Sequence, residues 1–241
     1  MQLLAIETAT RQLGVALLEE ERLLSSYELL ADYPHAVELP SAVSRVLGAA
    51  RSMLSRLDAI IVDIGPGSFT GLRIGLAFVK ALSFPSKKPI VGVSSLDVLA
   101  AALPFTTRPI CPILDARQRN VYAARFRWEA GRLKRETDYF LGPLEEALAL
   151  LGQEPAVFLG DGCGPYRERL LEHFPQAQMA PQEFWLPRAA TLARLGRERF
   201  CEGRRDDPAR LVPLYLYPMD CSVRGPDRPT SVLPSRAPSV A

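Results

Sequence analysis

Residues 58–82 read DAIIVDIGPGSFTGLRIGLAFVKAL. An apolar run interrupted only by Asp63 ends in Gly-Pro-Gly-Ser-Phe-Thr-Gly and passes directly into apolar residues spaced three and four apart. A short apolar run bounded by glycine and proline predicts a buried strand, and the spacing after it predicts a helix over residues 68–82. A strand that turns so sharply into a helix leaves three alternatives. It is a phosphate-cradling loop, a dinucleotide fingerprint or a packing device.

A Walker loop requires G-x-x-x-x-G-K-[ST]. Gly67 and Gly71 are separated by three residues and Leu72 stands in the lysine position, which argues against it. A dinucleotide fingerprint requires G-x-G-x-x-G followed by an acid closing the next strand. Gly65 and Gly67 begin correctly, but Thr70 occupies the third glycine position, Gly71 comes one step late, and the next strand closes on Ser94. What stays is a helix N-terminus, a place that favours anions. Its candidate anion contacts are Gly65, Gly67, Ser68, Thr70 and Arg73, with Ser68 or Thr70 as the helix cap. The helix is apolar on two sides. Phe69, Leu72, Leu76 and Val79 mark one, Ile74, Phe78 and Leu82 the other, with Gly71, Gly75 and Ala81 small enough for close approach. Two apolar sides need two covering surfaces. One is the helix's own sheet; the second is the preceding helix or another chain.

Upstream, QLLAIE and LGVALLEEERLLSSYELL predict three strands joined by short turns, an antiparallel meander. Leu39, Val43, Val46, Leu47, Ala50 and Leu54 then predict an amphipathic helix over about residues 36–55, with Pro40 in its first turns or kinking it. PIVGV predicts a strand and SSLDVLAAAL a helix capped by Ser94 or Ser95. The order then begins again. RPICPILDA, NVYAARFRW and GRLKRETDYFL read as strands, PLEEALALL as a helix, AVFLGDG as a strand, and YRERLLEHF and PRAATLARLGRERFCEG as helices. The expected organisation is a first α/β unit over residues 1–104, a second over 105–221, and a Pro/Ser/Arg-rich disordered tail over 222–241.

The chain of 241 residues has room for a sizeable core, and its net charge of +2 argues against a strong nucleic-acid binder. The four cysteines lack C-x-x-C spacing, no basic segment precedes the N-terminal apolar stretch, and no apolar run is long enough to span a bilayer. The expected compartment is the cytoplasm. The arginines at 188, 194, 197, 199, 204 and 205 predict a solvated helix face, with tRNA contact as the rival reading.

LLAIETAT at the start, GPGSFTGLRIGLAFVKAL, GVSSLDVLA, DARQRNVYAARF and LGDG occur in an order that resembles the TsaB family of tRNA threonylcarbamoyladenosine biosynthesis proteins. The resemblance runs from Met1 to about Gly162, with a weaker echo at LVPLYL. It implies a two-lobed actin/Hsp70-like (ASKHA) α/β fold, a duplicated RNase H-like arrangement of mixed sheets flanked by helices. It implies a non-catalytic scaffold or activating partner of TsaD, which carries out the threonylcarbamoylation of the adenosine beside the anticodon of tRNAs reading ANN codons. TsaE is then a further member of the complex, tRNA is met indirectly, and the isolated chain forms a homodimer through the same surface. That surface is implied to be the two helices, with Leu39, Val43, Val46, Phe69, Gly71, Leu72, Gly75, Leu76 and Val79 as the partner interface. On that reading Gly75→Arg breaks the partnership and leaves the monomer folded.

The residues also bear on catalysis. His35 is followed by Leu39 at i+4 and His173 is far along the chain, so no His-x-x-x-His pair exists and no metal site is expected. Glu7 stands where nucleotide-binding members of the fold carry an Asp, in a turn without glycine, and reads as a structural acid. Asp63 reads as an acceptor for loop N–H groups. Asp115 and Arg117 sit where the second unit's first turn would face the cleft and complete the candidate nucleotide contacts. No tightly bound cofactor is expected, with ATP or ADP placed at the partner interface. The rival enzymatic readings are an ASKHA-type phosphotransferase and a glycopeptidase-like metallopeptidase.

Overall fold

The computed structural model describes residues 1–30 and 35–216. Its first three strands, β1 (Gln2–Glu7), β2 (Gln12–Glu19) and β3 (Arg22–Leu30), form the expected antiparallel meander. β4 (Ala59–Gly65) then pairs parallel with β1, and β5 (Ile90–Ser94) parallel with β4, giving the order β3-β2-β1-β4-β5. Parallel neighbours need a crossover; α2 (Phe69–Ser86) supplies it between β4 and β5 and lies beside α1 (His35–Ala49). α1 ends earlier than its apolar spacing predicts, and a short 3-10 turn, Leu54–Arg56, takes up the rest.

The unbroken run in β4 follows from burial on both faces. Ile60 and Val62 join Leu4, Ile6, Leu39, Val43, Val46, Leu76 and Val79 under α1 and α2. Ala59 and Ile61 join Leu3, Ala5 and Val91 on the opposite face.

Ser94 caps α3 (Ser95–Ala101), its side chain accepting from Leu96 N. The second sheet comprises β6 (Ile110–Asp115), β7 (Asn120–Ala123), β8 (Phe126–Glu129), β9 (Arg132–Arg135), β10 (Phe140–Pro143), β11 (Val157–Leu159) and β12 (Gln178–Met179). Its order is β10-β7-β6-β11-β12, with β8 on β6 and β9 on β8. α4 (Leu144–Leu151) and α5 (Arg167–His173) cover one face through Leu144, Leu148, Leu151 and Leu170. NVYAARFRW reads as one strand but breaks into β7 and β8. Arg125 between them turns its N–H to Thr137 Oγ1 and its carbonyl to Glu136 N, leaving the ladder. Two mixed sheets with helices, in a repeated element order, form the duplicated RNase H-like, actin/Hsp70-like arrangement.

One part of the chain departs from the sequence division at 105–221. α6 (Ala189–Cys201) leaves the second sheet and packs Ala189, Leu192 and Ala193 onto the first. Among the described residues, Val98 of the short α3 covers only part of the first sheet's second face, and α6 carries the apolar stripe that covers the rest. Its N-terminus is held by Glu28 on β3, whose Oε1 accepts from Ala189 N at 2.9 Å while Oε2 accepts from Gln12 Nε2 at 2.7 Å. Further along, Arg199 pairs with Asp97 of α3, and Tyr139 from the second lobe donates to the same carboxylate at 2.8 Å. Beyond α6 the described residues run back along the first lobe, with Asp206 bridging Ile90 and Gly92 and Leu214 N donating to Ile64 O, before Leu216 packs against the cluster shared with the second sheet. The expected tail at 222–241 lies outside the described residues. Among the described residues no helix is long and apolar enough to cross a membrane.

Burial pushes the Glu28 carboxyl from its ordinary 4.5 up to about 7, although the bonds to Ala189 and Gln12 oppose the shift. The folded state therefore holds this proton more tightly than the unfolded state. Stability from this group is greatest below its ordinary value and is lost as pH rises towards about 7. Glu28→Gln keeps a carbonyl acceptor for Ala189 N and removes the charge. Denaturant unfolding between pH 5 and pH 8 is expected to show a wild-type decline that the variant reduces by about 1 kcal/mol, well short of the full shift because the Glu28 side chain is open to screening solvent. Equal slopes would overturn the assignment.

Candidate functional site

The GPGSFTG turn is bound to the turn after β1 at close range. Ser68 N donates to Ala9 O at 2.7 Å, and Ser68 Oγ accepts from Gly71 N as the cap of α2. A Cβ placed on Gly67 would lie 2.2 Å from Ala9 O, and one on Gly71 would lie 2.1 Å from Thr8 O. No side chain fits between backbones at that separation. Of the three alternatives raised by the sequence, the geometry is that of a packing device.

Two buried acids flank it. Asp63 Oδ1 accepts from Gly65 N at 2.6 Å and from Ser95 Oγ at 2.7 Å, the loop-holding use its position suggests. Glu7 Oε1 accepts from Ala9 N at 2.7 Å. Burial raises both carboxyls, Glu7 well above the usual range with Asp63 beside it adding to the shift. His35 reaches from α1 to Thr10 O at 2.8 Å, which pins the same turn.

The candidate anion contacts fall into two groups. Around α2, the N–H groups of Gly65, Ser68 and Gly71 are already bonded within the protein. Gly67 lies against Ala9, and Thr70 is exposed on the first turn. The Arg73 guanidinium stacks 3.6 Å from the Phe69 ring centroid and its Nε donates to Tyr215 OH at 3.0 Å. In the second lobe, Asp115 Oδ1 accepts from Arg117 N at 2.9 Å, and Asp115 N donates to Asp161 Oδ1. Burial raises the Asp161 carboxyl, and the bond from Asp115 N opposes the rise, with Arg11 and Arg117 adding to that opposition. Among the described residues no group of three or more His, Cys, Asp or Glu is placed to hold a metal ion. His173 is on α5 against Phe174, in the other lobe from His35.

Burial separates the expected interface set from the outer surface of the two helices. Leu39, Val43, Val46, Gly71, Leu72, Gly75, Leu76 and Val79 are all buried in the first lobe, and of that set only Phe69 is exposed. The apolar spacing marks the side of each helix that faces its own sheet. A Cβ on Gly75 would lie 2.2 Å from Thr8 Oγ1, so Gly75→Arg would disrupt the fold itself. The outer surface carries other residues. Val37, Ser41, Ser44 and Gly48 face outward on α1, and Phe69, Arg73, Ala77, Ala81 and Phe84 on α2. Val37 is 74% and Phe84 86% exposed. Alanine and serine give a weak hydrophobic signal, and Phe84 falls outside both apolar rows, so sequence spacing misses this face.

The basic stretch of α6 is largely occupied. Arg188 donates to Glu183 O, Arg197 pairs with Glu21, Arg199 with Asp97, and Arg205 binds Phe200 O.

A family model described as "TsaD: tRNA N6-adenosine threonylcarbamoyltransferase" matches residues 29–183. The Bacillus subtilis "tRNA threonylcarbamoyladenosine biosynthesis protein TsaB" is 32% identical, over 90% of this chain and 94% of its own length. The Escherichia coli protein of the same description is 29% identical over the same shares. A crystal structure from Pseudomonas aeruginosa, described as similar to peptidase YeaZ, superposes with a TM-score of 0.78 at 29% identity. It covers 90% of this chain and 99% of that one.

The two turns give a direct test. Gly67→Ala and Gly71→Ala are each expected to cost at least about 3 kcal/mol, because the added methyl meets backbone. Gly48→Ala on the outer face of α1, with nothing within 4 Å, is expected to gain about 0.5–1 kcal/mol. Denaturant unfolding of the three variants checks both signs.

Proposed function

The chain belongs to the TsaB family of tRNA threonylcarbamoyladenosine biosynthesis proteins, and on that premise we propose that its part in the modification is that of a non-catalytic partner docking onto TsaD. The chain acts in threonylcarbamoyladenosine synthesis; the scaffold role and the docking surface are the proposal. The observation that carries it is the outer surface of α1 and α2. There, exposed Val37, Phe69 and Phe84 border small residues, Ser41, Ser44, Gly48, Ala77 and Ala81. Large apolar side chains beside a smooth strip suit helix-on-helix packing with another protein. The buried state of Glu7 and Asp63 and the occupied N–H groups of the GPGSFTG turn also favour a supporting role over chemistry in this chain.

TsaE and tRNA then join through TsaD, consistent with an α6 whose arginines are mostly engaged internally. ATP or ADP, where the complex uses it, is placed at the junction with the partner. Exposed Phe69 and Thr70 at the start of α2 lie on that side. The isolated chain uses the same surface to form a homodimer, so the two associations exclude one another.

Size-exclusion chromatography with light scattering tests this, on the chain alone and mixed with TsaD of the same organism. A homodimer that converts to a one-to-one heterodimer is expected. Ala77→Arg and Ala81→Arg are expected to weaken both associations at least about tenfold, ~1.4 kcal/mol, with circular dichroism and Tm unchanged. Undiminished co-elution of both variants would remove α2 from the interface, and a monomer that ignores TsaD would remove the scaffold role.

A further inference from the structure

β1 and β4 run parallel with Ile6 opposite Val62, which sets Glu7 and Asp63 side by side where the strands end. They share the sheet face of Ala5 and Ile61, the one that α6 covers. Glu7 is 0% and Asp63 1% exposed. Each spends one oxygen on a neighbouring turn, Glu7 Oε1 on Ala9 N and Asp63 Oδ1 on Gly65 N and Ser95 Oγ. Their second oxygens, Glu7 Oε2 and Asp63 Oδ2, are buried without a hydrogen-bond partner, and the parallel register sets the two carboxyls beside each other at the strand ends.

Two adjacent carboxylates sealed from water cannot both ionise without a compensating charge. Among the described residues no lysine, arginine or histidine forms an ion pair with either. The charged groups that act on them are themselves acidic, Glu28 from β3 and Asp97 from α3. Arg199 of α6 is committed to Asp97 and Gly92 O, His35 of α1 to Thr10 O, and Arg73 of α2 to Phe69 and Tyr215. β5 contributes no charged side chain.

We propose that Glu7 and Asp63 hold a single proton between them, with Glu7 Oε2–H donating to Asp63 Oδ2, and that this proton locks the turn after β1 to the GPGSFTG turn. Asp63 is the ionised member because it already accepts from two donors besides Glu7, whereas Glu7 accepts from one. Removing the proton to solvent base leaves two negative charges at the roots of the two turns. They separate, and the N-terminus of α2 moves with Gly65. Unfolded, both acids are ionised at neutral pH, so folding takes up one proton and the lock weakens as pH rises. The consequence for docking rests on the TsaD reading above; the lock itself does not.

The test is carbon NMR of the full chain with labelled Glu and Asp carboxyls, titrated from pH 5 to pH 9. One Glu carboxyl is expected to keep the shift of a protonated acid through neutral pH and to vanish in Glu7→Gln. Glu28 is told apart by its disappearance in Glu28→Gln. The side-chain amide introduced by Glu7→Gln supplies the same donor to Asp63, so that variant is expected to fold; Asp63→Asn assigns the pair independently. If every Glu and Asp carboxyl other than Glu28 is ionised at pH 7, the shared proton is overturned. Co-elution with TsaD forms the second arm. Above the pair's titration, wild-type affinity is expected to fall about tenfold per pH unit while Glu7→Gln holds. A protonated Glu7 with pH-independent docking supports the lock and overturns its link to α2. Absence of docking at every pH overturns the TsaD reading and leaves the NMR result standing.

Discussion

The carbonyl oxygens of Thr8 and Ala9 press against Gly71 and Gly67, and the first lobe is arranged around that contact. Close packing of this kind has no slack, because a methyl group at either glycine would overlap a backbone atom. It therefore fixes where β4 ends and where α2 begins. The direction of α2 then decides which of its sides meets the sheet. Leu72, Leu76 and Val79 turn inward, and Ala77 and Ala81 are left outside. Docking surface and fold thus share one helix but use opposite sides of it.

A second constraint joins the lobes. α6 starts at Glu28, runs across the first sheet and ends near Asp97, where Tyr139 of the second lobe also arrives. An apolar stripe does most of the packing, while Glu28 and Asp97 specify where the helix starts and stops. Both are polar groups with partners, and Asp97 is buried as well, the condition under which such groups add positional definition. The lobes are linked by polar bonds that converge on Asp97 of α3, and a hinge between them would have to release those bonds.

The parts of this architecture that were legible in the sequence are those governed by local chemistry. The β4 run, the Ser94 and Ser68 caps, the meander and the Asp63 bond to its own turn each depend on residues a few positions apart. The inward and outward sides of α2 were not separable, since glycine is both a packing contact and a smooth surface, and spacing reads the two alike. The destination of α6 depends on residues far from it in sequence, including Gln12, Glu28 and Asp97. Tyr215 became meaningful only once the C-terminal segment was seen to return to Arg73 and Phe69. The family resemblance carried the fold correctly. The residues named for the interface, Phe69 apart, are buried within this chain, because hydrophobic periodicity reports burial, whichever chain supplies the cover.

The route of α6 has a consequence for how the chain matures. Leu3, Ala5, Ile61 and Val91 wait for Ala189, Leu192 and Ala193 to cover them. A ribosome therefore releases the whole first lobe and almost all of the second before that face can close. Vectorial, lobe-by-lobe folding during synthesis is not open to this chain, although many multi-unit proteins use it. Its nascent form carries an uncovered apolar sheet until α6 has been made, and up to that point chaperone binding competes with completion of the native contacts.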